Sequence, residues 1–565
     1  MTVDDQTALL DRAVGVDDEE SMTKSKHLRI GKLALASLLL ACFLANADES
    51  FILTTGSDVA AALEAPDYTS WLITSYNLGY TTALPLHGQV CDLTGPKRAI
   101  LLALVMYGSG CIMTGISGSI HVALAGRVIS GIGGSGMVEL VSVLVNGMSI
   151  WGHGLDIPND GFTKASNFTT EMGSFHRVAV LRSYVTTSSI IGITCGAPLG
   201  ALLTSYLGWQ WAFLIHVPFA ILCIAVILLT IRIDKPLSNI PTGQTYGTND
   251  TNKDGGAKFK QRSFDIAGLL FLMTAIVCLL GLIQVIPAQH MENRSTALIT
   301  LGVACLTCFA AFFINEAYVA QNPLIPLFLL KPHNLGLIYA AQVLIGMTNS
   351  ASIPIVSDYW VTTRGFSAVE GAMCWAPSTF GFAVGSLIAG RLIQSSGRYL
   401  LYTKIGVPLA CSSFLLMLIR WTLYEPKLWE ITYSFASSMG LGMILSSQFV
   451  ALSAAKPEAN VATSVTTFYL FQQIGFMAGV TSSRALVRSA MESGLKATLG
   501  NIPGSRELIT QVLSHRRSLK FVPPHLQDTV RTTIQRSYYV PPAISVGSLL
   551  LVLFICFRQR EVKST

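Results

Sequence analysis

Residues 88–98 read GQVCDLTGPKR, from Gly88 to Arg98, with SWLITSYNLGYTTALPL (70–86) ahead of them and AILLALVMYGSGCIM (99–113) behind. An aspartate, two glycines and a Lys-Arg pair separate two runs suited to hydrocarbon. The stretch is either a plain polar turn or a joint with a mechanism, and the rest of the chain decides which.

Charged residues make up 12% of the 565, and hydrophobic residues 51%. A typical soluble domain carries about 25% charged residues. A soluble chain of this length would divide into several domains with polar surfaces, and this one has too few charges to coat them. It belongs in a membrane. The net charge of +6 is modest, and the basic residues lie in short clusters between apolar runs, a topology signal rather than a nucleic-acid one. The eleven cysteines fall inside or at the ends of apolar runs. The one CxxC pair, Cys305 and Cys308, lies mid-span with no second pair or histidine nearby, so neither a zinc site nor a disulfide framework is read.

A spanning helix needs roughly 20 mostly apolar residues to cross about 30 Å of hydrocarbon. Runs of that kind lie near 33–56, 70–91, 99–119, 122–146, 180–204, 210–231, 265–286, 296–316, 335–357, 369–393, 401–422, 428–453, 460–482 and 541–557. These predict an all-α multi-pass membrane protein with about fourteen spans. The first is interrupted by polar residues and the last is short, so twelve or thirteen stays open. No cleavable signal peptide is read at the acidic, polar start. With the N-terminus in the cytosol, the inside loops carry Lys97 and Arg98, Arg177 and Arg182, Lys253 to Arg262, Lys331, Arg398 and Lys404, and Lys456, with Arg558, Arg560 and Lys563 in the tail. The first outside loop holds Asp58, Glu64 and Asp67 and no basic residue, so both ends face the cytosol.

The predicted organisation is a cytoplasmic tail (1–32), a six-helix bundle (33–231) interrupted by a cytoplasmic loop (147–179), a polar linker (232–262), a two-helix hairpin with its connector (263–333), a second six-helix bundle (334–557) with an extracytoplasmic loop (483–540), and a short tail (558–565). The 232–262 segment is rich in Gly, Thr and Asn and reads as a flexible linker.

Ionisable groups inside a span are functional candidates by default, because they are costly in hydrocarbon. LANADESFILTT places Asn46, Asp48 and Glu49 in the outer half of span 1, and Arg127 lies about a turn and a half into span 4. Asp48 and Arg127 differ in depth by about one turn, so they can meet across the bundle. A buried carboxylate beside an arginine can exchange a proton for that pairing. The competing reading is a permanent ion pair that only fixes helix register. Glu139, deeper in span 4, is a second candidate, and a carboxylate facing a wet cavity without a specific role fits it equally well.

The order of the pieces adds a resemblance. Gly88-xxx-Asp92-xx-Gly95-x-Lys97-Arg98 resembles the cytoplasmic signature of the major facilitator superfamily, and Arg127-xxx-Gly131 resembles its proton-linked motif. Gly192-xxx-Gly196-x-Pro198-x-Gly200 resembles the motif of its antiporters. Asp48 sits where the fourteen-span drug:proton antiporters carry an aspartate, and GWQWAFLIHVPF (208–219) and NPLIPLFLL (322–330) are similar to that subfamily. TSWLITSYNLGY (69–80) and ADESFILTT (47–55) look like its fungal branch of toxin exporters and vacuolar basic amino-acid transporters. The chain departs from the pattern at Pro96, where an arginine is usual, and at 151–175, longer than the family's turn and either an insertion or a retained intron. His216 stands where an amide is common and reads as a capped interfacial side chain.

The resemblance implies two rocking six-helix bundles with an inserted hairpin and a midplane site. It makes the opening stretch a latch, in which Asp92 caps a neighbouring helix or meets a basic side chain while Gly88 and Gly95 permit close approach. Asp48, with Glu49 and Arg127, is expected to couple protons. Asn46, Glu139, Asn349, Trp375 and Gln472 are candidates for the substrate cavity on polarity or aromaticity alone.

The implied activity is proton-coupled export of a toxin, drug or secondary metabolite. Loading of Lys, Arg or His into a vacuole is the alternative, and a non-transporting nutrient sensor is a third. No enzyme motif, metal or cofactor is read, and an ion gradient is the expected energy source. The expected partners are a small-molecule substrate and the bilayer, without nucleic acid. A monomer in the plasma membrane is expected, with the vacuolar membrane as the other location.

Overall fold

The computed structural model describes residues 32–65, 68–150, 172–230, 265–285, 294–320, 335–366, 368–455, 461–500, 505–514 and 522–559. The first half contains α1 (Lys32–Ala62), α2 (Thr69–Thr94), α3 (Pro96–Gly115), α4 (Ile120–Ile150), α5 (Met172–Leu207), and α6 (Trp209–Leu214) running into α7 (His216–Thr230). Next come α8 (Ile266–Val285) and α9 (Arg294–Ile314), the latter extended by one π-helical turn. The second half contains α10 (Leu335–Arg364), α11 (Ala368–Met373), α12 (Ala376–Ser396), α13 (Tyr399–Leu423), α14 (Tyr433–Ala454), α15 (Val461–Leu499), α16 (Ser505–Ser514), α17 (Pro524–Ser537) and α18 (Val540–Arg558).

Helices stand at all fourteen predicted spans, and the described residues outside helices are turns and short irregular links. Ten helical stretches among the described residues are long and apolar enough to cross a membrane unaided. The other four predicted spans correspond to α2, α8, α10 and α15. Three of these, α2, α10 and α15, carry threonines, serines and glutamines, as helices facing protein rather than lipid do.

The two halves pair their helices alike. In the first, α1 packs on α5, α4 lies against both α2 and α3, and α7 leans on α1 and α3. In the second, α10 packs on α15, α14 lies against both α12 and α13, and α18 leans on α10 and α13. The halves meet along α5–α12 and α2–α15, an exchange that repeats the same positions in both bundles. Helices α8 and α9 pack on each other, with α8 also touching α2 and α15. This is a parallel internal repeat with an inserted hairpin.

The α2–α3 joint follows from its residues. Gly95 has φ +88°, a conformation closed to most side chains, and its N–H donates to the Cys91 carbonyl at 2.9 Å. Pro96, in place of the usual arginine, opens α3 at a position where its missing N–H has no helical acceptor to lose.

Two segments depart from the expected organisation. The outer loop expected over 483–540 begins as unbroken helix, because α15 runs on to Leu499. Val487, Met491, Leu495 and Leu499 recur at four-residue steps on one face. They bury against Ile509, Val512, Val522, Val530, Ile534 and Tyr538 of the following helices. Likewise, α4 extends to Ile150 and α5 begins at Met172, so the expected 147–179 loop is shorter at both ends. The N-terminal tail, residues 151–171, the 232–262 linker and most of the C-terminal tail lie outside the described residues.

Candidate transport site and inner gate

The inner face of the bundle is the one that the charge pattern assigns to the cytosol, and the outer face lies opposite. Asp48 and Arg127, on α1 and α4, are fully buried and meet: Nη1 of Arg127 donates to both carboxylate oxygens at 2.8 Å. The guanidinium carbon lies 4.5 Å from the Tyr76 ring centroid and 5.5 Å from that of Phe213. Nε and Nη2 have no acceptor, so the cation rests on one carboxylate and two aromatic faces. The hydroxyl of Tyr76 is turned away and donates to the Ala45 carbonyl.

The antiporter-like motif builds the seat of this pair. A Cβ at Gly192 would collide with the Phe43 carbonyl, and one at Gly196 would stand 2.5 Å from the Ala47 carbonyl oxygen. Only glycine therefore lets the α5 backbone lie against α1 beside Asp48. Pro198 sits within α5, the neighbouring Ala197 carbonyl accepts from Thr54 Oγ1 at 3.0 Å, and Gly200 packs over Phe51. His216 is not interfacial. It is buried, edge-on to Phe51 at 4.8 Å and to Tyr107 at 6.0 Å, because α7 tucks its first residue between α1 and α3.

Glu49, half-buried on the next position of α1, accepts a hydrogen bond from Asn77 of α2. Tyr80, one turn further along α2, lies within electrostatic range of Glu49, Glu139 and Tyr469. Glu139 is fully buried, and neither of its oxygens has a hydrogen-bond partner among the described residues. Of the other cavity candidates, Asn46 turns back to its own helix, donating to Cys42 at 2.7 Å. Asn349 on α10 and Gln472 on α15 are half-buried in the second half. Trp375 precedes α12 and packs on the apolar cluster beneath the outer helices, away from Asp48.

The inner ends of the bundles are clasped. Asp92 accepts from Thr463 Oγ1 at 2.9 Å, in the first turn of α15, where a carboxylate also faces the positive helix end. Gly88 makes room for this contact: a Cβ there would lie 2.5 Å from Thr466 Oγ1. The side chains of Lys97 and Arg98 form no hydrogen bond or ion pair with another described residue.

A second clasp was not legible as such. Arg182, expected in an inside loop, is buried within α5. Its Nη1 donates to Ser142 Oγ at 2.9 Å and to the Tyr469 hydroxyl, and its guanidinium covers the Phe449 ring at 4.3 Å. Ser142 belongs to the first half, Tyr469 and Phe449 to the second. The physical reason is helix length: α5 begins at Met172, which carries Arg182 nearly three turns inside. Its setting, VAVLRSYV, was the available signal, an arginine with apolar neighbours on both sides. Gly390 of α12 packs against Ala179 and Ser183 beside it. Each of these joins lies in the inner half, so the inner face is shut.

Comparison with known proteins agrees with this architecture. The chain is 25% identical to the "Vacuolar membrane amino acid uptake transporter fnx2" of Schizosaccharomyces pombe, over 92% of this chain and 83% of that protein. It is 22% identical to the "MFS-type efflux transporter pyiT" of Pyricularia grisea, over 94% and 83%. It is 23% identical to "Multidrug resistance protein 3" of Bacillus subtilis, over 84% and 83%. Among solved structures, the proton:xylose symporter XylE superposes with a TM-score of 0.55 at 10% identity, over 92% of this chain and 94% of that one. FucP, solved in the outward conformation, gives 0.51 at 12% identity, over 94% and 98%. The family model described as Major Facilitator Superfamily matches residues 38–149 and 164–480. With repeat, clasped inner face and sequence match in agreement, this multi-pass membrane chain belongs to the Major Facilitator Superfamily of transporters.

Proposed function

We propose that the chain is a proton-driven antiporter that removes a small organic compound, such as a toxin, drug or secondary metabolite, from the cytosol. One observation carries this reading: the Asp48–Arg127 pair is fully buried, and a single nitrogen holds both carboxylate oxygens. One proton on Asp48 removes the charge that holds Arg127, so protonation and helix pairing exclude each other. The glycine seam with α5 ties that exchange to the packing of the helix that also reaches the inner gate through Arg182. Alternating access follows if breaking the pair changes the relative cost of the inner-shut and inner-open forms.

A second reading is loading of a basic amino acid into a vacuole against the proton gradient. Glu49 and Glu139 favour it, since a cationic substrate calls for carboxylates beyond the one that Arg127 neutralises. The relatives named for vacuolar amino-acid uptake support it too.

Purified protein in liposomes with an acidic lumen and an internal pH-sensitive dye tests both. Lysine, arginine, histidine and the lipophilic cation tetraphenylphosphonium are added outside, with Asp48→Asn protein as the comparison. Lumen alkalinisation with a lipophilic cation, lost in the variant, supports export. The same response to amino acids supports vacuolar loading. Wild-type and Asp48→Asn protein behaving alike would refute proton coupling through Asp48.

A further inference from the structure

We propose that Glu139 is a second proton-binding carboxylate of the transport cycle, bearing its proton whenever the inner gate is shut and losing it to cytosolic water when the gate opens. The inference rests on the transporter reading but not on which compound is carried.

The placement of Glu139 leads to it. Ser142, which joins the clasp with Arg182 and Tyr469, lies three residues further along α4, on the same face. Tyr80 lies within electrostatic range of both Glu139 and Tyr469. Glu139 therefore looks toward the seam between the halves, one turn above the clasp. It has no exposed surface, so no room is left for a ligand in the shut form, and neither oxygen meets a donor. An isolated ionised carboxylate in such a place neutralises rather than stays charged.

Among the described residues, the helices around α4 supply no uncommitted cation to Glu139. Tyr80 of α2 lies within electrostatic range of Glu139; elsewhere on α4, His87 of α2 meets the Ile132 carbonyl, Cys42 of α1 the Met137 carbonyl, and Tyr107 of α3 backs Gly133, with Asp48 and Glu49 further out. Tyr469 of α15 meets Ser142. The basic side chain at this depth among the described residues is Arg182 on α5, and it is committed to Ser142, Tyr469 and the Phe449 ring. Asp48 has its arginine and Glu49 its asparagine; Glu139 has neither.

The proton balance is closed. As the halves come together, one proton passes from water at the inner face to a Glu139 oxygen. As they part, the O–H bond breaks and water takes the proton back. The shut form then holds one proton more than the open form, so the open-to-shut ratio rises about tenfold per pH unit wherever the hydrated Glu139 is ionised. An alkaline cytosol opens the inner face and an acidic one keeps it closed.

The experiment uses reconstituted full-length protein with nitroxides on Leu93→Cys and Ser395→Cys, both exposed at the inner ends of α2 and α12, with the native thiols replaced. The distance distribution is followed as pH is raised. Read in an Asp48→Asn background, so that the first proton site is silent, the expected result is a shut-to-open ratio that falls about tenfold per unit at its steepest, a slope lost when Glu139→Gln is added and retained when His87→Gln is added. A flat profile in Asp48→Asn, a slope that survives the added Glu139→Gln, or one lost on adding His87→Gln would overturn the proposal.

Infrared spectroscopy gives a second readout that does not need the variant to gate normally. A carboxylic C=O stretch typical of an acid whose carbonyl has no hydrogen-bond donor should be present in wild type and Asp48→Asn and missing in Glu139→Gln. Its absence from wild type would equally overturn the proposal. Neither readout uses a transported compound, so failure of the antiport reading shows only in the liposome assay and failure of this one only here.

Discussion

Replacing Asp48 by asparagine removes the sole acceptor of the Arg127 guanidinium. Nη1 keeps at best one neutral oxygen, while Nε and Nη2 have no acceptor to begin with. Removing one partner of a fully buried ion pair costs about 3–5 kcal/mol, because the remaining charge stays in the low-dielectric interior. The Tyr76 and Phe213 rings remain against the cation, which places the expected loss toward the lower end, about 3 kcal/mol. Adding Arg127→Met removes the stranded charge, and the double variant should regain most of the loss. Buried pairs replaced by apolar groups of similar size are often neutral in stability. The assay is unfolding in mixed micelles with increasing sodium dodecyl sulfate, for wild type, each single variant and the double. The expected coupling between the two sites is about 2–3 kcal/mol. A wild-type midpoint in Asp48→Asn, or a double variant no more stable than Asp48→Asn, would refute the argument that the pair is buried and exclusive.

Three further outcomes are expected. Tyr469→Phe removes the hydroxyl that Arg182 and Ser142 share, at about 1.5–3 kcal/mol for a bond to a charged group. The inner-open population should rise tenfold or more, seen as faster alkylation of Cys42, which lies within electrostatic range of Arg182; an unchanged rate counts against the clasp. Gly88→Val places carbon where Thr466 Oγ1 stands, so nitroxides on the inner ends should report a wider separation in this variant, and a wild-type distance would dismiss the latch. Leu495→Asp puts a charge into the outer apolar face, costing about 3 kcal/mol or more. Proteases added from outside should then cut beyond α15 while the bundles stay folded; resistance equal to wild type would show that the outer helices do not depend on this contact.

The sequence carried the bundle and the pair further than it carried the gate. Asp48 and Arg127 were legible because charge inside an apolar run is rare and depth can be counted from the span ends, so two residues 79 apart could be matched. The glycines of α5 were legible as a spacing, although only the structure shows them against the Phe43 and Ala47 carbonyls. Asp92 was legible as a cap, but its partner Thr463 was not, since a threonine at a helix start is commonplace. Arg182 was misplaced because apolarity finds where lipid contact begins, while a helix can start well before that. The outer segment was read as a loop with at most a partly helical cap, for a related reason. Val487 to Leu499 sets an apolar residue at every fourth position among polar ones, so its average falls short of a span while its buried face is continuous. Trp375 and Asn46 show the limit of choosing residues by polarity alone, since one belongs to an outer cluster and the other bonds its own helix.

The unbroken α15 has a mechanical consequence. Its 39 residues make a rod of about 58 Å, gripped at one end by Asp92 through Thr463 and built at the other into α16 and α17. A tilt of about 10° around its inner end would sweep the outer end by about 10 Å, the length following from the helical rise. Motion too small to measure easily at the gate is thus enlarged at the outer surface. An antibody fragment raised against the outer helices would act as a brake on that lever, stopping the cycle from outside without entering the path of the cargo.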